Sequence, residues 1–437
     1  MRGRYVCAVL LLGVFWSATA ARAQESVFPP EEYRERWTRL FKLLGDDVLI
    51  LKGAPAPQNQ RAFRQYNTFW YFTGYEGPDA VLVADGRTDA VTVYVPARQI
   101  AKATRVLAER GIARVRPSVA VRDALRSLSG DGVTFYVQRF PGEGEAQSRD
   151  SFSPIPRLLP GYPPPRDTRA FRASVLNVLG EGVSVRPAEL LTDPLRRVKS
   201  SREIDVMREA ARIAAEAIRL SIQVTRPGIR ESALAGICEY VFRREGARCS
   251  AWTPIVASGP NMVRFHYMQN SRTLQPNEML LLDAGPDYYY YTSDVTRCWP
   301  SSGPFPDPFD RIYDKLVEVH RAGIAAVKPG NTPRDVATAM VRKAREVGLE
   351  GLLPIAGHYT GMAAHDVGSY DRPFQPGVVF NVEPLWLDRR NRRHLRLEDT
   401  VLCTENGPEV LTPLDLLPWD RDAILRIRDS DPEGFLP

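Results

Sequence analysis

Compact apolar runs and amphipathic stretches alternate along the first part of the chain. Asp47–Leu51, Ala80–Ala84 and Ala90–Val95 are strand-length runs rich in β-branched residues, and between and after them lie helical stretches such as Ile100–Glu109. The alternation predicts an α/β domain over residues 24–186. Prolines crowd the segment Pro154–Pro165, which reads as an irregular surface loop. From about Ala188 the period changes. Ile204, Met207, Ala211, Ala214 and Ile218 follow three-four spacing behind Ser200 and Ser201, which can cap a helix. This helix ends at Arg226-Pro227-Gly228, and a second, from about Glu231 to Glu245, stops at Gly246. The arrangement recurs: Phe309–Val327 ends at Lys328-Pro329-Gly330, and another helix runs from Pro333 to Gly348. In both copies the Pro-Gly proline precedes the closing glycine by nineteen residues. Pro-Gly is common punctuation after helices, so the matched second helix carries the weight. It points to an internally duplicated α+β domain over residues 187–437.

The first residues follow another pattern. Arg2 and Arg4 precede an apolar run from Tyr5 to Trp16, and Ala21-Arg22-Ala23 places small residues where a signal peptidase reads. The run falls short of the roughly 20 apolar residues that a membrane span needs. Residues 1–23 are therefore expected to be a cleaved leader, and the mature chain to be exported, periplasmic or secreted, without stable membrane insertion. Cys7 has no small-residue lipobox before it, which argues against a lipid anchor. The formal charge of +6 includes Arg2, Arg4 and Arg22, so the mature excess is weak, and no Lys/Arg run marks a nucleic-acid footprint. Of the remaining cysteines, Cys238, Cys249, Cys298 and Cys403, no pair has the spacing of a thiolate zinc site. Disulfides and core thiols both stay open.

Candidate chemistry begins where an apolar strand, Met279–Leu282, ends in Asp283. A second acid, Asp294, follows eleven residues later, and a hairpin between them would bring the two carboxylates together. Alone, the pair could be two solvated turn acids. Further along, His358 and His365 lie seven apart among glycines, Glu383 closes the run Val378–Val382 ahead of Pro384, and Glu398 sits inside Leu395–Leu402. Acids on apolar strands are costly unless paired, hydrogen-bonded or bound to metal. Four carboxylates and one imidazole suit two divalent cations, with hard oxygen donors favouring manganese, cobalt, iron or zinc.

In order and local context, Asp283, Asp294, His358, Glu383 and Glu398 resemble the metal ligands of the pita-bread metallopeptidases. That family includes methionine aminopeptidase, prolidase and aminopeptidase P. The resemblance implies a duplicated pita-bread catalytic domain, in which Asp294 and Glu398 bridge two metals. Asp283 would bind one of them, and His358 with Glu383 the other. Ile255–Gly259 leading to Phe265-His266-Tyr267 is similar to the segment whose histidine faces substrate in aminopeptidase P and prolidase, and His365 matches a second substrate-side histidine. Arg396 matches a basic residue of proline-specific members. Phe63-Arg64-Gln65, Phe69–Tyr75 and Pro78-Asp79-Ala80 resemble the extra N-terminal domain of aminopeptidase P. Departures exist as well. Pro354 stands where some members have another histidine, Leu385 replaces a glycine, and the connection from Glu383 to Glu398 is short.

The implied activity is removal of an N-terminal residue that precedes proline, through a hydroxide shared by two metals, with manganese expected and cobalt, zinc or iron as alternatives. Glu383 would shuttle the proton, while His266 and His365 would steady the carbonyl oxygen. His320 and His394 read as structural or surface residues. Prolidase activity on Xaa-Pro dipeptides and a non-catalytic binding protein are the rival readings. The second is disfavoured because all five ligand positions are kept. Peptides with proline in second position are the expected partners, nucleic acid is not, and the resemblance implies a dimer or tetramer.

Overall fold

The computed structural model describes residues 27–57, 62–130, 132–139 and 169–430. The expected leader, residues 1–23, and the proline-rich Pro154–Pro165 stretch lie outside the described residues.

The first domain is a six-stranded mixed sheet flanked by helices. Its elements run α1 (Pro30–Leu44), β1 (Val48–Lys52), α2 (Asn67–Thr73), β2 (Val81–Asp85), β3 (Ala90–Val95), α3 (Ile100–Ala108), β4 (Arg114–Pro117), α4 (Val121–Leu128), β5 (Thr134–Val137), α5 (Arg169–Leu179) and β6 (Ser184–Pro187). The strand order is β4-β3-β2-β1-β5-β6, antiparallel from β3 to β1 and parallel at both flanks. Val48 and Ile50 pack into one buried cluster with Leu125 and Val175, whereas Leu49 and Leu51 pack into another with Trp37 and Leu107. A sheet covered on both faces needs a continuous apolar strand rather than an alternating one. That is why the expected runs are legible, each within one residue of its observed strand.

A short helix, α6 (Glu189–Arg197), leads to the second domain, which begins with α7 (Ser201–Val224) and α8 (Glu231–Arg244). Ser200 caps α7 in a reciprocal box. Its Oγ accepts from the Glu203 amide, and the Glu203 carboxylate accepts from the Ser200 amide. Then come β7 (Cys249–Ser250), β8 (Ile255–Ser258), β9 (Met279–Ala284), β10 (Pro286–Asp287) and β11 (Val295–Pro300). A second helix pair follows, α9 (Phe309–Ala325) and α10 (Pro333–Glu346), and after it β12 (Gly357–Tyr359), β13 (Val379–Val382), β14 (Leu385–Asp388), β15 (Arg393–Arg396), β16 (Asp399–Thr404), β17 (Gly407–Val410) and α11 (Arg421–Arg428). Each half is thus a helix pair followed by three antiparallel strands, β8-β9-β11 and β12-β13-β16. The halves meet where Thr296 and Glu398 exchange backbone hydrogen bonds of 3.2 Å. One expectation needs correction: Leu395–Leu402 is not a single strand. Its first part pairs with β14 and its second with β13, and the chain switches sheets at Leu397-Glu398.

The domains are joined by buried charge. Arg36 on α1 is fully buried; its Nε donates to Glu32 at 3.0 Å, and its Nη1 donates to the Tyr71 carbonyl at 2.6 Å. Its guanidinium lies 4.0 Å over the Tyr71 ring and 3.6 Å from Glu203 of α7. Glu32 in turn accepts from the Ser200 hydroxyl, and Glu203 accepts from the Tyr291 hydroxyl. Removing one member of such a set leaves the others charged and uncompensated. Arg36→Met should therefore cost about 3–5 kcal/mol in urea unfolding; an unchanged midpoint would show that the pairing contributes nothing to holding the domains together.

Candidate metal centre

The register of the sheet sets the site. Asp283 on β9 is directly opposite Thr296 on β11, and Thr296 is opposite Glu398. Across the second half, Thr400 on β16 faces Asn381 on β13, which faces His358 on β12. Cross-strand neighbours share a face of the sheet. These pairings therefore lay a polar belt over both halves, whose other strand positions are mostly buried and apolar. Gly357 (φ +121°) permits the close approach of β12, because a Cβ there would lie 1.9 Å from the Asn381 carbonyl oxygen.

Asp294, at the foot of β11, comes together with His358 and Glu398; one ligand atom from each falls within 4.8 Å of the others. The His358 Nε2 lies 3.2 Å from Glu398 Oε1 and 3.5 Å from Asp294 Oδ2. Asp283 and Glu383 join through Arg396, whose guanidinium donates to Asp283 Oδ2 at 2.5 Å and to Glu383 Oε1 at 3.2 Å. The four expected carboxylate ligands thus gather around the Arg396 guanidinium and the imidazole of the fifth, His358. Oδ1 of Asp283 and Oδ1 of Asp294 are buried with no hydrogen-bond donor among the described residues.

The electrostatics follow from burial and crowding. Burial, then the Glu398 and Asp283 charges, push Asp294 well above the usual carboxylate range. Burial and the Glu398 charge push Glu383 up to about 8. Burial raises Asp283 to about 6 against the pull of Arg396. Glu398 goes the other way. Burial opposes its ionisation, but the His358 hydrogen bond and the Arg396 charge hold it down. Two donors sequence reasoning missed also serve it: Thr296 Oγ1 donates to Oε2 at 2.9 Å, and Asn381 Nδ2 to Oε1 at 3.0 Å. The signal was present, since Thr296 and Asn381 are polar residues inside apolar strands. Orphaned carboxylate oxygens, raised acids and an oxygen-rich donor set with one imidazole fit divalent cations.

His365 stacks on His358, ring centroids 3.8 Å apart and planes inclined by 14°. His266 lies on the exposed rim, yet the protein around it and the Arg396 and His365 charges push its imidazole down to about 4. The remaining histidines are buried, so the surface alternative fails for both. His320 Nε2 is 3.2 Å from the Val382 carbonyl, and His394 Nδ1 is 2.6 Å from that of Trp386. Cys238, Cys249, Cys298 and Cys403 are free thiols.

Two family descriptions match the chain: metallopeptidase family M24 over residues 205–405, and the N-terminal domain of aminopeptidase P over residues 33–110. A Xaa-Pro aminopeptidase of Haemophilus influenzae is 28% identical, with 88% of this chain and 94% of that protein covered. An uncharacterized peptidase of Bacillus subtilis is 32% identical across 55% of this chain and 69% of its own length. Among solved structures, zinc-substituted Escherichia coli aminopeptidase P in complex with product has a TM-score of 0.77 at 24% identity, covering 92% of this chain and 98% of that one. The fold is therefore an N-terminal α/β domain followed by a duplicated pita-bread domain. Fold and relatives together define a metal-dependent hydrolase of peptide bonds. Within that class, the chain belongs to metallopeptidase family M24.

Cations held here would bind ionised carboxylates, so metal uptake would have to expel the protons that burial keeps on Asp294 and Glu383. As pH falls below about 8, more of the raised carboxyls hold protons, and the affinity of metal-free protein for manganese should weaken. Titration calorimetry in buffers of different ionisation enthalpy should register proton release. A pH-independent affinity with no release would contradict this arrangement.

Proposed function

We propose that the chain is a Xaa-Pro aminopeptidase, hydrolysing the bond between an N-terminal residue and a following proline. The observation that carries the reading is the convergence of Asp283, Asp294, His358, Glu383 and Glu398 from both halves of the sheet, with two carboxylate oxygens left without donors. Specificity for proline is supported by the aminopeptidase P N-terminal domain and by relatives named Xaa-Pro aminopeptidase.

In this reading two divalent cations would be held by Asp283, Asp294, His358, Glu383 and Glu398, with Asp294 and Glu398 as the shared ligands, Asp283 serving one ion and His358 with Glu383 the other. When bound, such cations would supply Lewis-acid chemistry, making a water more acidic and polarising the scissile carbonyl. Manganese is the metal we assign, from the hard donor set. Glu383 is half-buried, and burial with its acidic neighbours draws a proton onto it. Metal uptake would expel that proton, and the freed carboxylate would take one from the attacking water and return it to the leaving amine. His365 and His266 donate hydrogen bonds to the carbonyl oxygen as it gains charge. Arg396 keeps Asp283 and Glu383 apart and oriented. Export with cleavage near Ala23, and assembly as a dimer or tetramer, belong to the same proposal and rest on the leader residues and the family resemblance.

The direct test compares Xaa-Pro dipeptides with longer Xaa-Pro-Yaa peptides on manganese-loaded protein. Cleavage of the longer peptides at the Xaa-Pro bond is expected. Turnover of dipeptides alone would make the chain a dipeptidase, and no turnover of either with metal bound would overturn the proposal.

Asp294→Ala and Glu398→Ala should each lower kcat/KM by about 10³-fold or more, since each removes a shared ligand. The melting temperature of metal-free Asp294→Ala should change little, because the substitution deletes a carboxyl that burial keeps protonated and whose Oδ1 has no hydrogen-bond donor among the described residues. Near-parental turnover with full metal content in either variant would remove these residues from the site.

A further inference from the structure

The turn that carries His365 is held from behind by a buried ion pair outside the proposed chemistry. The side chain of Asp366, the next residue, is 1% exposed. Its Oδ1 accepts from Arg196 Nη2 at 2.5 Å, and its Oδ2 accepts from the Met362 amide at 3.0 Å, with Lys199 Nζ 3.8 Å away. The Asp366 amide donates to the Tyr359 carbonyl at 2.7 Å. There is no slack in this turn: a Cβ at Gly361 would lie 2.2 Å from Asp366 Oδ2.

The first domain completes the clasp. The other end of Arg196 donates to Thr68 Oγ1 at 2.8 Å, and Asn67 Nδ2 donates to the Met362 carbonyl at 3.0 Å. Both residues stand on α2. On the open side of the turn, His365 lies flat against His358.

We propose that Asp366, clasped by Arg196 and Lys199 and braced by Asn67 of the first domain, is a positioning residue for His365. The inference rests on the proposed role of His365. His365 and Asp366 share one peptide unit, itself tied by the Asp366 amide to the Tyr359 carbonyl, so a backbone shift at Asp366 is passed to His365. Without the carboxylate, Arg196 loses a buried charged partner and Lys199 the anion beside it, and the turn loses its anchor on the side away from His358. Misplacement by about an ångström is enough to cost about 100-fold in rate. A purely structural role, in which Asp366 only fastens the domains together, makes a different prediction. It would lower stability without singling out one imidazole.

The chain holds five histidines, so ring nitrogen spectra of histidine-labelled, metal-free protein resolve the question directly. In Asp366→Asn the His365 ring signals should shift or broaden, while those of buried His320 and His394 hold. The manganese-loaded variant should lose about 10- to 100-fold in kcat with little change in KM and unchanged metal stoichiometry. Asn67→Ala removes one hydrogen bond and should reproduce the same pattern at about fivefold. Should Asp366→Asn fail to fold, Asn67→Ala and the charge-preserving Arg196→Lys decide the matter in its place. The proposal is overturned if the His365 signals stay in place in the folded variants, or if those of His320 and His394 move with them. If the parent chain cleaves no Xaa-Pro peptide, the functional reading fails, but the spectra still decide whether Asp366 positions His365.

Discussion

Four carboxyl groups meet at the seam of the catalytic sheet with one guanidinium and one imidazole among them. Two like charges about 4 Å apart repel by about 4 kcal/mol at an effective dielectric constant of about 20. Arg396 neutralises part of this by holding Asp283 and Glu383, and His358 faces Asp294 and Glu398. The remainder is carried as protons on Asp294 and Glu383. Everything nearby is arranged around that excess. Thr296 and Asn381 donate to Glu398, so this acid stays ionised while Asp294 does not. In the proposed function a pair of divalent cations would balance that excess.

Duplication gives this deficit its geometry. The first half contributes Asp283 and Asp294, and the second contributes His358, Glu383 and Glu398. Neither half holds a full set. Beneath the belt, Arg297 locks the junction by donating to the carbonyls of both Thr296 and Glu398 and pairing with Asp399 at 2.8 Å. Trp419 donates to the other oxygen of Asp399 at 2.7 Å, and His320 lies 3.6 Å from it. The first domain is coupled to the same region, since its Asn67 and Thr68 reach the turn behind His365 directly and through Arg196.

Much of this was legible in the sequence where one segment suffices to define it. The helix pairs, the apolar strands of the first domain and the order of the five ligand residues all depend on local pattern. The buried ions do not. Arg36 and Glu203 occupy helical positions that read as solvent-facing polar residues, and only a partner more than 160 positions away puts them inside. Arg196 and Asp366 are 170 residues apart, and neither position carries a local sign of the other. For His320 and His394 the sequence left structural and surface roles open, and each proves buried with one ring nitrogen against a backbone carbonyl that no side-chain pattern announces.

The misread strand is the most instructive case. Leu395–Leu402 is apolar enough to pass for one continuous strand, yet a continuous strand could not build this site. Arg396 ends β15 with its register fixed against Leu385, while Asp399 opens β16 against Val382. Residues two apart in extended chain share a face. Arg396 and Glu398 therefore both look into the site, although the strands on either side belong to different sheets. The cation that restrains Asp283 and Glu383 and the acid that faces Asp294 come from a single short segment at the sheet switch. A one-residue slip in the pairing of β9 with β11, or of β13 with β16, would turn the belt toward the helices. The packed helix pairs behind the sheet forbid that slip, so the hydrophobic core is what holds the charged groups in register.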